Sequence, residues 1–160
     1  MRILVDADAC PVTKNIIKIG KKYNKEVILF TDTSHIINDD YATTVMVDKG
    51  ADAVDFALIN KTKPYDIVVS QDYGVATMAL TKKAFCINQN GLVYTNDNID
   101  HLLQKRYVSQ QIRKSGGRTS GPPKRKKEND VQFEKSFIKL LEKVLQVTDK
   151  LQGEINGNQR

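Results

Sequence analysis

Aspartates recur through the first half of this 160-residue chain at places where clustered carboxylates could do chemistry. Asp6 and Asp8 close the apolar run Ile3-Leu4-Val5, Asp32 follows residues 26–31, Asp48 ends 43–48, and Asp72 follows 66–71. Asp52 and Asp55 lie three residues apart just beyond Asp48. Packed carboxylates repel one another and raise each other's pKa, a cost that a cation or a proton must relieve. Hard oxygen ligands favour Mg2+ or Mn2+. Magnesium takes one or two carboxylates directly and keeps several waters, which leaves room for phosphate oxygens and an attacking water. The chemistry implied is phosphodiester hydrolysis, by one ion or by two about 3.5–4 Å apart.

The segments that carry these acids alternate between strand and helix. Residues 2–6 read as a short strand, and Pro11 suits the first turn of a helix running to about Tyr23. The β-branched and apolar stretches 26–31, 43–48, 66–71 and 84–88 read as further strands, with helical segments over 52–61 and from Asp72 onward between them. This alternation predicts a three-layer α/β fold, a mostly parallel five-stranded sheet with helices on both faces. In such a sheet, residues just past the strand ends share one rim, where ligands bind at the topological switch point. Asp6, Asp8, Asp32, Asp48 and Asp72 fall on that rim. Asp52 and Asp55, in the opening turns of a helix, lean toward it.

Beyond the sheet, Tyr94-Thr95-Asn96 introduces a helix with Ile99, Leu102, Leu103, Tyr107 and Ile112 on one apolar stripe, ending at Ser115-Gly116-Gly117. The Gly-, Pro- and Lys-rich residues 118–129 read as an exposed loop without helix. Asp130 is the predicted cap of a last amphipathic helix, with Phe133, Phe137, Leu140, Leu141, Val144 and Leu145 at three-to-four spacing. That stripe must pack on the sheet domain or on a second copy in a homodimer. The expected organisation is therefore an α/β domain over 1–115, a basic loop over 116–129, the helix over 130–152 and a frayed tail over 153–160.

Each acid also has a plainer reading, because aspartates after strands often cap the next helix and favour its dipole. The plainer reading fits Asp32 and Asp48 best. Asp6, Asp8 and Asp72 make the strongest ligand set, with Asp52 and Asp55 in support. Asp-Ala-Asp alone is shared by phosphatases, glycosyltransferases and nucleases. A phosphoaspartyl phosphatase would place Thr or Val where Cys10 stands, which ranks a small-molecule phosphatase second. Cys10 and Cys86 lack metal or disulfide spacing and read as reduced thiols, Cys10 as a buried structural one. His35 and His101 receive no role. Tyr73 and Tyr41 are weak candidates for stacking bases.

Charge is unevenly spread: residues 1–100 hold 11 Lys and Arg against 13 Asp and Glu, whereas 101–160 hold 14 against 6, so the parts net −2 and +8. No acid stands between Asp100 and Glu128, a span holding Lys105, Arg106, Arg113, Lys114, Arg118, Lys124, Arg125, Lys126 and Lys127. A basic arm beside an acidic rim fits nucleic acid, whose phosphates Lys and Arg bind without regard to sequence. The alternative is a solvated tail. No run approaches the roughly 18–20 apolar residues of a membrane span. The early Asp6 argues against a signal peptide, so the expected location is the cytoplasm.

Several motifs taken together go further: Asp-Ala-Asp-Ala-Cys-Pro (6–11), Gly-Ala-Asp-Ala-Val-Asp (50–55), Ser-Gln-Asp-Tyr-Gly (70–74), Tyr-Thr-Asn-Asp-Asn-Ile (94–99) and Ser-Gly-Gly-Arg-Thr-Ser-Gly-Pro (115–122). In order and spacing they resemble the bacterial YaiI/YqxD family of uncharacterised proteins, over all but the extreme C-terminus. That family is grouped with PIN-like domains, typically metal-dependent ribonucleases with aspartates at the strand ends. The resemblance implies that the first and fourth strands are neighbours, bringing Asp6 and Asp8 beside Asp72, with Asp52 or Asp55 completing the pocket. It also implies that Arg118 belongs to the working part. The resulting expectation is a Mg2+- or Mn2+-dependent nuclease acting on RNA. Asp6, Asp8 and Asp72 are its ligands, and Arg113, Lys114, Arg118, Lys124, Arg125, Lys126 and Lys127 hold phosphates. The alternatives are a small-molecule phosphatase and a non-catalytic RNA-binding protein.

Overall fold

A computed structural model describes residues 1–32, 37–121 and 123–158. The first four strands are β1 (Ile3–Asp6), β2 (Val27–Asp32), β3 (Thr43–Val47) and β4 (Ile67–Val69). Helix α1 (Thr13–Lys22) links the first two, and α2 (Ala53–Lys61) links the last two. Then come α3 (Tyr73–Thr81), β5 (Phe85–Ile87), β6 (Val93–Tyr94), α4 (Asn96–Lys114) and α5 (Lys127–Gly157). The sheet order is β3-β2-β1-β4-β5-β6, parallel except for the β5–β6 pair.

Alternate residues of each strand face opposite layers, as the period of two demands. Ile3, Val5, Val27, Leu29, Ile67 and Val69 pack with α1 and with Phe133, Phe137, Leu140, Leu141 and Val144 of α5. Leu4, Ile28, Phe30, Val68 and Cys86 face the other way, against Leu58 and Ile59 of α2, Val75, Ala76 and Ala79 of α3, and Ile99 of α4. Both faces of the sheet are covered, which is why its strands read as unbroken apolar runs. The stripe on α5 is spent on this core.

Three expectations are corrected. The sheet has six strands: a hairpin turn at Asn88–Leu92, in which Asn88 Oδ1 accepts from the Asn90 and Leu92 amides at 2.9 Å each, adds β6 antiparallel to β5. Gly91 takes φ 89° there, and a Cβ would lie 3.0 Å from the Gln132 carbonyl oxygen of α5. Helix α5 runs from Lys127 to Gly157, so the basic segment is helical at its end and residues 153–157, expected to be frayed, continue the helix. Asn129 Oδ1 accepts from the Lys126 amide at 2.8 Å to close that start, and Asp130 lies within the first turn instead of capping it. The stripe on α4 is not buried: only Ile99 is, while Leu103, Tyr107 and Ile112 are exposed because the helix runs past α3 into solvent. No helix among the described residues is long and apolar enough to cross a membrane.

Candidate functional site

Strands β1 and β4 are neighbours, and from this pair the chain winds outward in opposite directions, making their carboxyl ends the topological switch point. Asp6 is the last residue of β1, and Ser70, immediately after β4, donates its hydroxyl to Asp6 Oδ2 at 3.3 Å. The same hydroxyl accepts from the Asp72 amide at 3.1 Å. Ser70 thereby ties the two strand ends together. Asp72 Oδ1 accepts from the Val75 amide at 3.0 Å and caps α3, so the plainer reading of this residue holds for one of its oxygens. Gly74 keeps that carboxylate approachable, since a Cβ there would stand 3.0 Å from Asp72 Oδ1.

Asp8 lies in the turn after β1, where the Thr31 hydroxyl donates to Oδ1 at 2.6 Å and the Asp32 amide donates to Oδ2 at 3.2 Å. Asp52 precedes α2 in the left-handed region at φ 61°, which Asp tolerates better than most residues. Asp55 occupies the first turn of α2. Burial, reinforced by Asp55 and to a lesser degree by Asp8 and Asp72, pushes Asp6 from 3.8 up to about 6, against the opposing Ser70 hydrogen bond. Burial and the charges of Asp72 and Asp52 also raise Asp55. The acids are thus coupled across three elements.

Among the described residues, no three His, Cys, Asp or Glu side chains stand close enough to hold an ion as placed. The donor chemistry still fits a hard, largely hydrated divalent cation, which needs one or two carboxylates directly and relieves the repulsion that raises Asp6 and Asp55.

These five aspartates line a cleft of about 760 Å³. A single face of α4 lines the same cleft: Leu102, Lys105, Arg106, Ser109, Gln110 and Arg113, at helical spacing. Arg113 is steadied by Thr119, whose Oγ1 accepts from Arg113 Nε at 2.8 Å. The Arg106 guanidinium lies over the Tyr73 ring, 5.7 Å from its centroid. Among the described residues, Lys105, Arg106 and Arg113 form no ion pair with Asp6, Asp52, Asp55 or Asp72. Cationic and anionic side chains therefore line one cleft.

The other residues singled out from the sequence sort as follows. Asp32, which the spacing set aside, also lines the cleft, whereas Asp48 is exposed outside its lining. Lys114, Arg118, Lys124, Lys126 and Lys127 are exposed and lie outside the lining. Arg125 is bound within the fold: it donates to Asp130 Oδ1 at 2.6 and 2.9 Å, to Asn90 Oδ1 at 2.7 Å and to the Gln89 carbonyl at 2.9 Å. Cys10 is half-buried with its thiol pushed up by burial, and Cys86 is fully buried. Tyr41 donates to the Lys25 carbonyl at 2.7 Å, outside the cleft lining. His101 is exposed, and His35 lies outside the described residues. Sequence reasoning gave no individual role to Ser70, Gln71, Ser109 or Gln110. The three-to-four spacing of polar residues on α4 was the available signal for the last two.

Six strands in this order with helices on both faces and acids at the switch point define a three-layer α/β domain of the PIN-like type. Residues 4–143 match the family model described as "Uncharacterized BCR, YaiI/YqxD family", and the chain belongs to that family. A UPF0178 protein of Ruminiclostridium cellulolyticum is 55% identical over 141 residues, 88% of this chain and 92% of that one. Others from Exiguobacterium sibiricum (52%; 88% of this chain, 96% of that one) and Alkaliphilus oremlandii (51%; 89% and 92%) are similar over nearly the same length. No solved structure matches the chain.

Proposed function

We propose that the protein is a divalent-metal-dependent nuclease that hydrolyses phosphodiester bonds in RNA. The observation that carries this reading is the single cleft lined both by the aspartates at the strand ends and by the basic face of α4. A phosphodiester needs that combination: anionic ligands for a cation on one side and cations for the flanking phosphates on the other. Of Asp6, Asp8 and Asp72, one or two would ligate Mg2+ or Mn2+ directly and the rest through its waters, with Asp52 and Asp55 in support. When bound, the ion supplies Lewis-acid polarisation of the phosphoryl oxygen and a more acidic water. Ser70 orients Asp6 through its hydroxyl, and the α3 cap fixes the angle of the Asp72 carboxylate. Lys105, Arg106 and Arg113 hold the substrate backbone, and the exposed Arg118, Lys124, Lys126 and Lys127 extend that hold beyond the cleft.

The test incubates purified protein with structured and single-stranded RNA, with Mn2+ and with chelator, beside an Asp6→Asn, Asp72→Asn double variant. The expected result is cleavage by the native protein with Mn2+ alone. Equal cleavage by both proteins rejects this site. Salt-sensitive binding without cleavage makes the protein a binding module. Phosphate release from small phosphomonoesters, with indifference to RNA, makes it a phosphatase.

A further inference from the structure

Among the described residues, Tyr73 is the aromatic ring in the lining of the cleft, and it stands next in sequence to Asp72. It opens α3, is half-buried, and is held from one side by Tyr94 in an edge contact, ring centroids 5.9 Å apart at 74°. Tyr94 is itself 2% exposed, so the ring has a rigid support. Its other neighbour is soft: Arg106, an exposed side chain on α4, rests its guanidinium over the ring, 5.7 Å from its centroid. Tyr73 packs in part against the core cluster that holds Tyr94, while the rest of the ring lies in the cleft under a displaceable cation, one residue from a candidate ligand carboxylate.

From this placement, and resting on the nuclease reading above, we infer that Tyr73 is a stacking platform for an unpaired nucleobase beside the scissile phosphate, making single-stranded RNA the substrate. The base takes the ring face that Arg106 covers in the free protein, and the guanidinium turns to the adjacent phosphate. A base has a face to offer only when it lies outside a continuous duplex stack, so pairing blocks the platform. The cleft volume of about 760 Å³ is that of a small-ligand pocket and suits a nucleotide-sized group better than a paired helix. Because every base has a π-face, the platform selects for strandedness without reading sequence.

The test needs no turnover. Single-stranded RNA carrying 2-aminopurine in place of its adenines is titrated with native protein in chelator, and the same strand is titrated after annealing to its complement. Stacking on Tyr73 quenches the single strand's emission, and the duplex binds more weakly. Tyr73→Phe keeps the quench. Tyr73→Leu, which preserves packing against Tyr94, loses it and weakens binding about 5- to 100-fold, the range seen when one base–aromatic stack is removed. Thermal melting checks that both variants are folded. Binding by the native protein without quenching, or quenching by the Leu variant equal to native, overturns the platform and leaves the nuclease reading to its own cleavage assay. Quenching without Mn2+-dependent cleavage supports the platform while removing the nuclease. No binding of any RNA, in chelator or with Mn2+, overturns both.

Discussion

Asp6 shows how a residue suited to chemistry is a burden to the fold. Its carboxyl rises from 3.8 to about 6, with burial the first cause and Asp55 the second. A folded pKa above the unfolded one means the native state holds more protons between about pH 4 and 6, so stability falls as pH rises through that window. The penalty is complete above about pH 6. Asp6→Asn keeps an acceptor for Ser70 and removes the charge. In metal-free protein at pH 7.5 it is expected to raise stability by about 1–2 kcal/mol, after allowance for solvent screening at a partly exposed group, or Tm by about 2–8 °C. At pH 4 the variant and native protein should melt together; a gain that persists there would show packing, not charge, as its origin. Asp72 separates two roles in the same way. Asn caps a helix as well as Asp, so Asp72→Asn should leave Tm nearly unchanged while abolishing metal-dependent cleavage. Asp72→Ala should lose about 1 kcal/mol of stability with the Val75 hydrogen bond as well.

At the scale of elements, Arg125 changes the meaning of the basic segment. Its four hydrogen bonds join the stretch before α5 to the β5–β6 turn and to Asp130, so it acts as a strut where charge alone predicted a phosphate contact. Arg125→Ala should therefore cost about 1–2 kcal/mol in urea denaturation and speed amide exchange in the first turn of α5, with little change in RNA affinity. A loss of affinity at unchanged stability would return Arg125 to the binding surface. The case marks what sequence can carry. Runs such as Ile3-Leu4-Val5 and Ile67-Val68-Val69 announce strands buried on both faces, and Asp6 and Asp72 announce the rim, because both depend on local pattern. The α5 stripe was legible for the same reason. What that stripe packs against depends on long-range pairing, as do the fate of the α4 stripe and the meeting of α4 with the acids in one cleft. Tyr107 on α4 reads as core and is 61% exposed, since helical period states which residues share a face and not which face meets the sheet. The two-residue strand β6 is too short to register as a run, although Asn90-Gly91 before it is the strongest short hairpin signal.

For the whole molecule, the governing feature is charge separated by sign. The net of −2 over residues 1–100 and +8 over 101–160 is a property of sequence, but only the fold brings the two signs into one cleft, because a face of α4 lines it together with the ends of β1 and β4. A polyanion is drawn to the basic side over roughly a Debye length, about 10 Å at 0.1 M salt, and the cleft acids repel it until a cation offsets them. RNA binding should then weaken with salt and strengthen with Mn2+, two dependences of opposite sign that a tail acting only through its charge would not combine. The slope of log K against log salt counts the phosphates neutralised, at about 0.7 for each on a single strand. If Lys105 and Arg113 each hold one phosphate, the Lys105→Ala, Arg113→Ala double variant should make that slope shallower by about 1.4, measured by anisotropy of a labelled single strand across a KCl series. Arg125→Ala should leave the slope as it is. An unchanged slope in the double variant would move the binding surface off the α4 face and onto the exposed segment around Arg118 and Lys124, and the cleft would then lose its claim to the RNA backbone.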